Sequence, residues 1–326
     1  MQSVDVAVDV VGVGNAMVDV LATTSDEFVA SQNLEKGSMS LIDTERAQEL
    51  YALLGPSVNA SGGSAANTMA GIASFGGQAA YIGKVSDDEL GKVFAQEMQS
   101  IGVSFDQPTA TGGPPTGMCL VLVTPDAQRT MSTFLGVSAL LEPDDVRPET
   151  VGRAPLLFCE GYLWDVDSAK QAIRKAMELA AAGGSKVALT LSDSFCIERH
   201  HAEFLELVAG PVDILFANRA ELTRLFECDL DAAVAKVAQQ VELACVTLSE
   251  QGSLLVSNGE IIEIAAEEVG SVVDTTGAGD QYAAGVLYGL SKGLPLPEVG
   301  RLGSMAAAEV ISHLGPRPER PLSDFL

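Results

Sequence analysis

The chain is short of positive charge. Lys and Arg number 19 among its 326 residues against 44 Asp and Glu, giving a formal net charge of −25 and a pI near 4.3. That balance argues against a groove for nucleic-acid phosphates, which needs a basic face. It is more simply a solubility or salt adaptation of the surface. Any anionic ligand must be held by a few local donors against the overall field. Histidine is scarce, and His200 and His201 are adjacent in a polar helical stretch, so they face different directions and make a poor metal pair. The 5 cysteines contain no C-x-x-C pair, which fits reduced thiols in a cytoplasm better than a disulfide framework or a zinc site. No apolar run reaches the ~18–20 residues of a membrane span. The stretch "MQSVDVAVDVVGVG" carries Asp5 and Asp9 and reads as a buried first strand rather than a signal peptide. No repeat and no low-complexity linker is visible. The phosphate-loop pattern G-x-x-x-x-G-K-[ST] does not occur. "GVGNAM" at 12–17 has Met17 where a dinucleotide fingerprint needs glycine, which disfavours a dehydrogenase.

Hydrophobic residues make up 47% of the chain, enough for a sizeable core. Apolar β-branched runs at 6–13, 79–83, 156–159, 186–191, 212–216 and 244–248 predict strands. Helical spacing predicts helices over 44–54, 63–75, 87–100, 167–182, 219–226, 231–241, 278–291 and 298–313. Continuously apolar strands alternating with helices imply a parallel sheet covered on both faces. Residues 103–135 break the rhythm: 117–124 and 129–134 read as two strands joined at Pro125-Asp126, with no helix between them, so they should pair antiparallel. "GSMSLID" at 37–43 is a further strand candidate. These pieces make either an accessory sheet that closes over a site or an ordinary edge hairpin.

The chemistry concentrates in "VVDTTGAGDQYAAGVLYGL" at 272–290. Val272-Val273 are expected to end a strand. Tyr282, Ala283, Val286, Leu287 and Leu290 then recur at helical spacing. Thr275 to Gly279 thus form a strand-to-helix turn, and the N–H groups of Ala278, Gly279 and Asp280 are expected to point out unpaired at the positive end of the helix dipole. That is an anion site. A carboxylate beside it suits a hydroxyl attacking a phosphoryl group, the base taking the proton and the amides holding the charge. The alternative is that Asp280 only caps the helix. A second glycine pair, Gly62-Gly63, precedes an Ala-rich helix bearing Asn67. Close backbone approach beside a bifunctional amide suits a polyol ligand, unless Asn67 is merely a polar helix start.

Together, "GGSAAN" and "DTTGAGD" resemble the N- and C-terminal signatures of the ribokinase family of carbohydrate and purine kinases (PfkB-type), in that family's order and separation. "NRAE" at 218–221 is similar to its N-x-x-E motif, and "VTLSEQGSLLV" at 246–256 to its nucleotide-binding strand and turn. The resemblance covers essentially the whole chain. It implies an α/β fold, a ribokinase-like three-layer sandwich with a mostly parallel sheet, as one kinase domain over 1–326 with a β-sheet lid formed by segments at about 14–43 and 103–135. It implies Asp280 as catalytic base and the amides of Gly277, Ala278 and Gly279 as the anion hole. Asn218 and Glu221 would place Mg²⁺, through water, since Mg²⁺ dehydrates reluctantly. Thr247, Ser249, Gly252 and Thr275 would lie near ATP. His313 in the last helix is placed for a contact to the adenine of ATP or for plain packing. Arg129, the basic residue of the lid hairpin, would reach the transferred phosphate or remain a solvated arginine.

Within the family, "GNAMVDV" at 14–20 is most similar to adenosine kinases. Asp19 would then accept hydrogen bonds from two ribose hydroxyls, with Asn15 near the base. "LFCEGYLWD" at 157–165 would supply an aromatic wall from Tyr162, Leu163 or Trp164, and Met39 and Leu41 apolar contacts from the lid. The implied reaction is transfer of the γ-phosphoryl group of ATP to the 5′-hydroxyl of adenosine. The rivals are a kinase for another nucleoside or a ribose- or fructose-type sugar, and a non-catalytic purine-binding protein. The implied partners are a small-molecule nucleoside or sugar, with no nucleic acid or membrane. The chain would be cytoplasmic, a monomer or homodimer. A monovalent cation such as K⁺ is a further candidate cofactor.

Overall fold

The computed structural model describes residues 7–126 and 128–326. Residue 6 of the first expected strand and residues 1–5 before it lie outside that range. Fourteen strands follow in order: β1 Val10–Val13, β2 Met17–Thr23, β3 Met39–Leu41, β4 Ser57–Gly62, β5 Ala79–Ile82, β6 Val103–Ser104, β7 Gly117–Val123, β8 Arg129–Phe134, β9 Leu156–Glu160, β10 Lys186–Thr190, β11 Ile214–Asn218, β12 Leu243–Thr247, β13 Ser253–Ser257 and β14 Glu260–Ile264. Nine form one sheet in the order β14-β13-β12-β11-β10-β9-β1-β5-β6. It is parallel from β12 to β6, and β13 and β14 add antiparallel at one edge.

The strands are apolar on both faces because helices cover both. Val11, Leu157, Leu189, Leu215 and Val246 bury themselves toward the helices Asp167–Gly183, Ser194–Ala209, Arg219–Phe226 and Leu230–Val237. The alternate residues Val10, Phe158, Ala188, Phe216 and Cys245 face the helices Ser64–Ser74, Glu89–Ser100, Ala278–Ser291 and Leu296–Val310. This is the three-layer sandwich expected from the alternation of strands and helices. No helix among the described residues is long and apolar enough to cross a membrane.

The connections from β1 run one way across the sheet and those from β9 the other. Their carboxyl ends therefore diverge at a switch point, where ligands of open α/β sheets bind. Asn15 follows β1 and Glu160 ends β9. Their side chains meet there, Asn15 Nδ2 donating to Glu160 Oε1 at 2.8 Å.

The other five strands form a second sheet, β3-β8-β7-β2-β4. β7 and β8 pair antiparallel as their hairpin pattern predicts. The sheet is wider than the two segments anticipated: β4 joins it through β2, while Val103–Ser104 pairs instead with β5 in the large sheet. Period-2 alternation divides its faces. Val18, Val20 and Leu120 are buried with Ala47, Leu50 and Phe94 of the helices behind. Met17, Asp19, Cys119, Val121, Arg129 and Met131 face the switch point.

One expectation fails. Val272 and Val273 are not strand residues and are 60% and 50% exposed. After β14 the chain crosses extended to the end of the last helix. There the N–H groups of Val273 and Asp274 find the Ile311 carbonyl, at 2.8 and 3.4 Å. The backbone need that a strand partner would meet is met by a helix end.

Gly63 opens the Ser64–Ser74 helix at φ +101°, and a Cβ there would lie 2.1 Å from the Asn15 carbonyl oxygen. Gly76 also has positive φ, +85°, but open space around it. Gly76→Ala should therefore cost only the backbone term, about 1 kcal/mol. Gly63→Ala should cost roughly 2 kcal/mol more, because strain and overlap add. Urea midpoints of the two variants check this; equal losses would contradict it.

Candidate active site

Two cavities meet beside Asp280, which lines the first and is bonded to Ser64, a residue common to both. The first, about 410 Å³, lies over the carboxyl ends of β10 to β12 and is bounded by Ser64, Tyr162, Asn218, Glu221, Thr247 and Thr275 through Asp280. The second, about 670 Å³, lies between the small sheet and the switch point. Asn15, Asp19, Met39, Gly63, Asn67, Arg129 and Tyr162 line it, with Phe195 at 68% exposure on its rim. Ser64 and Tyr162 border both.

The helix Ala278–Ser291 begins at Gly277, at φ +79°, where a Cβ would press on the Pro316 backbone at 2.6 Å. Asp280 is the third helical residue, so the capping position belongs to glycine. Its carboxylate reaches across to the other glycine-led helix: Ser64 Oγ donates to Oδ1 at 2.6 Å and Asn67 Nδ2 to Oδ2 at 3.1 Å. Burial raises its pKa above the usual carboxylate range, and these two donors and Arg317 oppose the rise. Of the three amides expected to be free, Ala278 N–H is taken by the Thr275 carbonyl at 3.2 Å. Gly279 and Asp280 remain as the outward pair.

Asp274 organises the loop before the helix. Its Oδ1 accepts from Thr276 N and Oγ1, and its Oδ2 from Gly315 N. The same carboxylate pairs with Arg129 Nη1 of the small sheet at 2.5 Å. Arg129 is thus neither solvated nor aimed solely into the cavity; it ties the small sheet to the loop before the Ala278–Ser291 helix. Its Nη2 is buried and has no hydrogen-bond partner among the described residues.

In the second cavity burial raises the Asp19 pKa to about 6, with Arg317 working against the rise and Asp280 adding to it. Gly62 lies beneath that carboxyl group, where a Cβ would be 2.6 Å from it. Asn15 is fully engaged: its amide donates to Glu160, its Oδ1 accepts from Ser138 Oγ at 3.0 Å, and its carbonyl accepts from Tyr81 Oη at 2.9 Å. Glu160, 1% exposed, also accepts from Ala65 N at 2.9 Å. Burial lifts its pKa to about 7. Asn218 and Glu221 form a reciprocal cap at the start of the Arg219–Phe226 helix, with Asn218 N and Nδ2 donating to the Glu221 carboxylate and Glu221 N to Asn218 Oδ1. Glu221 borders the first cavity with its pKa raised to about 7 by burial.

Not every predicted residue arrives. Leu163 and Trp164 are 2% and 0% exposed in the core, and Trp164 Nε1 donates to Glu203 at 3.0 Å, so neither forms a wall of the cavity. Tyr162 alone of the three faces it. His313 lies outside both cavities, its Nε2 3.2 Å from Glu309. Gly252 makes the turn into β13, and Ser249 sits in a shallow outward extension shared with Asn218 and Thr247. His200 contacts Asp165 and His201 the Leu225 carbonyl, so they do diverge. Ser64, Glu160, Asp274 and Arg317 were missed. The first two sit inside the quoted glycine and strand-end segments. An acid closing an apolar strand was a legible signal for Glu160; nothing local marks Arg317.

The family model described as pfkB family carbohydrate kinase matches residues 9–322. The solved structure of adenosine kinase from Sinorhizobium meliloti is 47% identical and superposes with a TM-score of 0.90 over 98% of both chains. A probable sugar kinase from Rhizobium etli is 43% identical, also at 0.90, over 98% of this chain and 97% of that one. Among curated relatives, 5-dehydro-2-deoxygluconokinase of Geobacillus thermodenitrificans is 26% identical over 77% of this chain and 78% of its own length.

Asp19, Glu160 and Glu221 all have folded pKa values above their ordinary 3.8 or 4.5. Between those values and about 7 the folded chain holds protons that the unfolded chain has released. Stability should therefore fall as pH rises through that window. Thermal melts of the ligand-free protein should give a higher Tm near pH 5 than near pH 7.5, and Asp19→Asn should flatten the slope. A Tm that rises over this range would contradict the assignment.

Proposed function

The chain belongs to the pfkB family of carbohydrate kinases, and within it we propose that this protein transfers the γ-phosphoryl group of ATP to the 5′-hydroxyl of adenosine, giving AMP. The observation that carries the choice of acceptor is the character of the second cavity. Asp19 supplies two acceptor oxygens at one point, while Met17, Leu21, Met39, Val121, Met131 and Leu135 make most of the remaining wall apolar. A free sugar presents hydroxyls all round and would leave them against hydrocarbon, at a cost for each group left unpaired. A nucleoside presents its diol to Asp19 and its flat base to the apolar wall and Tyr162. The 47% identity to an adenosine kinase supports the same reading. The sugar-kinase reading draws support from the sugar kinases among the relatives.

In this reading Asp280 takes the proton of the attacking hydroxyl, and its raised pKa makes it a better base than a surface aspartate. The Gly279 and Asp280 N–H groups, at the positive end of their helix, hold the charge on the transferred group. ATP lies in the first cavity and its outward extension beside Thr247, Ser249 and Thr275. Arg129 brings a cation, with an unused N–H donor, from the small sheet, which acts as a lid keeping water from the reaction. The Glu221 and Asn218 oxygens are hard donors that fit Mg²⁺. No group of three or more His, Cys, Asp or Glu gathers for a metal among the described residues, so an ion held by Asn218 and Glu221 would keep waters, as Mg²⁺ does. When bound it supplies charge neutralisation to the phosphates.

The test is ADP release with Mg-ATP against adenosine, inosine, guanosine, ribose and fructose. Adenosine should give the highest kcat/KM; preference for a free sugar would overturn the acceptor assignment and leave the kinase intact. Asp19→Ala should raise the KM for adenosine on the order of 10²-fold, since two hydrogen bonds are lost and the hydroxyls left unpaired. In the wild type that KM should climb as pH falls below about 6, where Asp19 takes up its proton. A pH-independent KM would remove Asp19 from the diol role.

A further inference from the structure

The chain after the last helix returns to the site. Gly315 N donates to Asp274, Pro316 packs on Gly277 and accepts from Gln281, and the next residue is Arg317. Its guanidinium is spent entirely within the protein. Nε donates to Asn67 Oδ1 at 3.2 Å, Nη1 to Ser61 Oγ at 2.7 Å, and Nη2 faces the Met98 sulfur at 3.7 Å; Glu97 Oε1 lies 3.5 Å from Nη1. It lines neither cavity.

An asparagine amide can present either its NH₂ or its oxygen to a neighbour. Asn67 must present the NH₂ to Asp280; turned over, its oxygen would face the carboxylate and repel it. Arg317 has only donors. By taking Asn67 Oδ1 it leaves one orientation, the one that steadies the Asp280 carboxylate. Arg317 is also the cation opposing the burial of both Asp280 and Asp19. We propose that Arg317 is a positioning residue for phosphoryl transfer, acting through Asn67 to fix the carboxylate of the base Asp280.

This rests on Asp280 being the base, and it does not depend on the identity of the acceptor. Among the described residues, the charged and titratable groups facing this cluster include Asp19 on β2, Tyr81 on β5, Glu97, Arg129 on β8, Glu160 on β9, Tyr162 and Asp280 itself. Removing the Arg317 charge leaves mostly acids there, so the carboxylates should hold their protons to higher pH.

Arg317→Met keeps the bulk and removes the charge and the donors. With the best acceptor of the wild type, kcat should fall roughly 10²-fold, the scale of a misplaced reacting group. The KM for Mg-ATP should stay within about twofold, since Arg317 does not reach that cavity. The acidic limb of the kcat/KM profile should move up by about one pH unit. In an Asn67→Ala background the same change should cost less than about threefold more, because the two act as a unit. An unmoved limb, or full additivity with Asn67→Ala, would overturn the proposal. Preference for ribose in the wild type would sink the adenosine reading alone, and these ratios would be read on ribose. Carboxyl-carbon NMR titration of Asp280, assigned by its Asn variant, needs no turnover: its midpoint should rise in Arg317→Met, and an unchanged midpoint would refute the charge role. If Arg317→Met does not fold, Arg317→Lys decides. It keeps the charge but cannot reach Asn67, Ser61 and Glu97 together, so kcat should drop at least about tenfold; a wild-type kcat would overturn the proposal.

Discussion

Everything at the centre of this molecule depends on one half-buried carboxylate shared between two helix starts. Asp280 lies in the first turn of one helix and is held by Ser64 and Asn67 from the first turns of another. A carboxylate drawn partly out of water is costly without donors, so the two helices keep their register to supply them. Gly63 and Gly277 exist where they do because each helix start is pressed against other backbone, Asn15 in one case and Pro316 in the other. The consequence is that the carboxylate is held by Ser64 and Asn67 while its residue borders the first cavity, next to the residues that cavity shares with the second.

The charge of the chain sharpens this arrangement. At −25 overall, the protein repels the polyphosphate it is read to bind. The cations near the junction are correspondingly placed and committed. Arg129 reaches in from the small sheet and pairs with Asp274, the residue that also shapes the loop before the Ala278–Ser291 helix. Arg317 reaches in from the C-terminal segment beneath Asn67. Arg129 thus couples the small sheet, and Arg317 the C-terminal segment, to the geometry of Asp280 through side chains rather than through the main sheet.

Much of this was legible in the sequence. Apolar runs alternating with helical segments located β5, β9, β10, β11 and β12 to within about two residues and found β1 with its start too early, and the two glycine-led motifs located both helix starts; the short β6 and the antiparallel edge strands β13 and β14 were not anticipated as strands. Other parts carry no local signal. β4, "SVNASG", lacks the apolar residues that mark a strand, because it is an edge held by backbone pairing to β2. The extended chain at 272–273 looks like a strand by composition, yet its partner is a helix end. Trp164 resembles a binding-site aromatic by its neighbours in sequence. A short turn after β9 carries it into the core instead, where its N–H finds Glu203. Arg317 shows the limit most clearly, since its partners lie more than 200 residues away in the chain and no window of sequence contains both.

The central claim is that Asp280 removes a proton at the junction of the cavities, and its most direct test separates chemistry from binding. Asp280→Asn keeps the shape and can still accept from Ser64. Measured by single-turnover phosphoryl transfer alongside calorimetric binding of acceptor and Mg-ATP, it should lose several orders of magnitude in the rate of transfer. Both dissociation constants should stay within a few-fold of the wild type. Transfer near the wild-type rate, or a loss confined to binding, would contradict the role of Asp280 as the base.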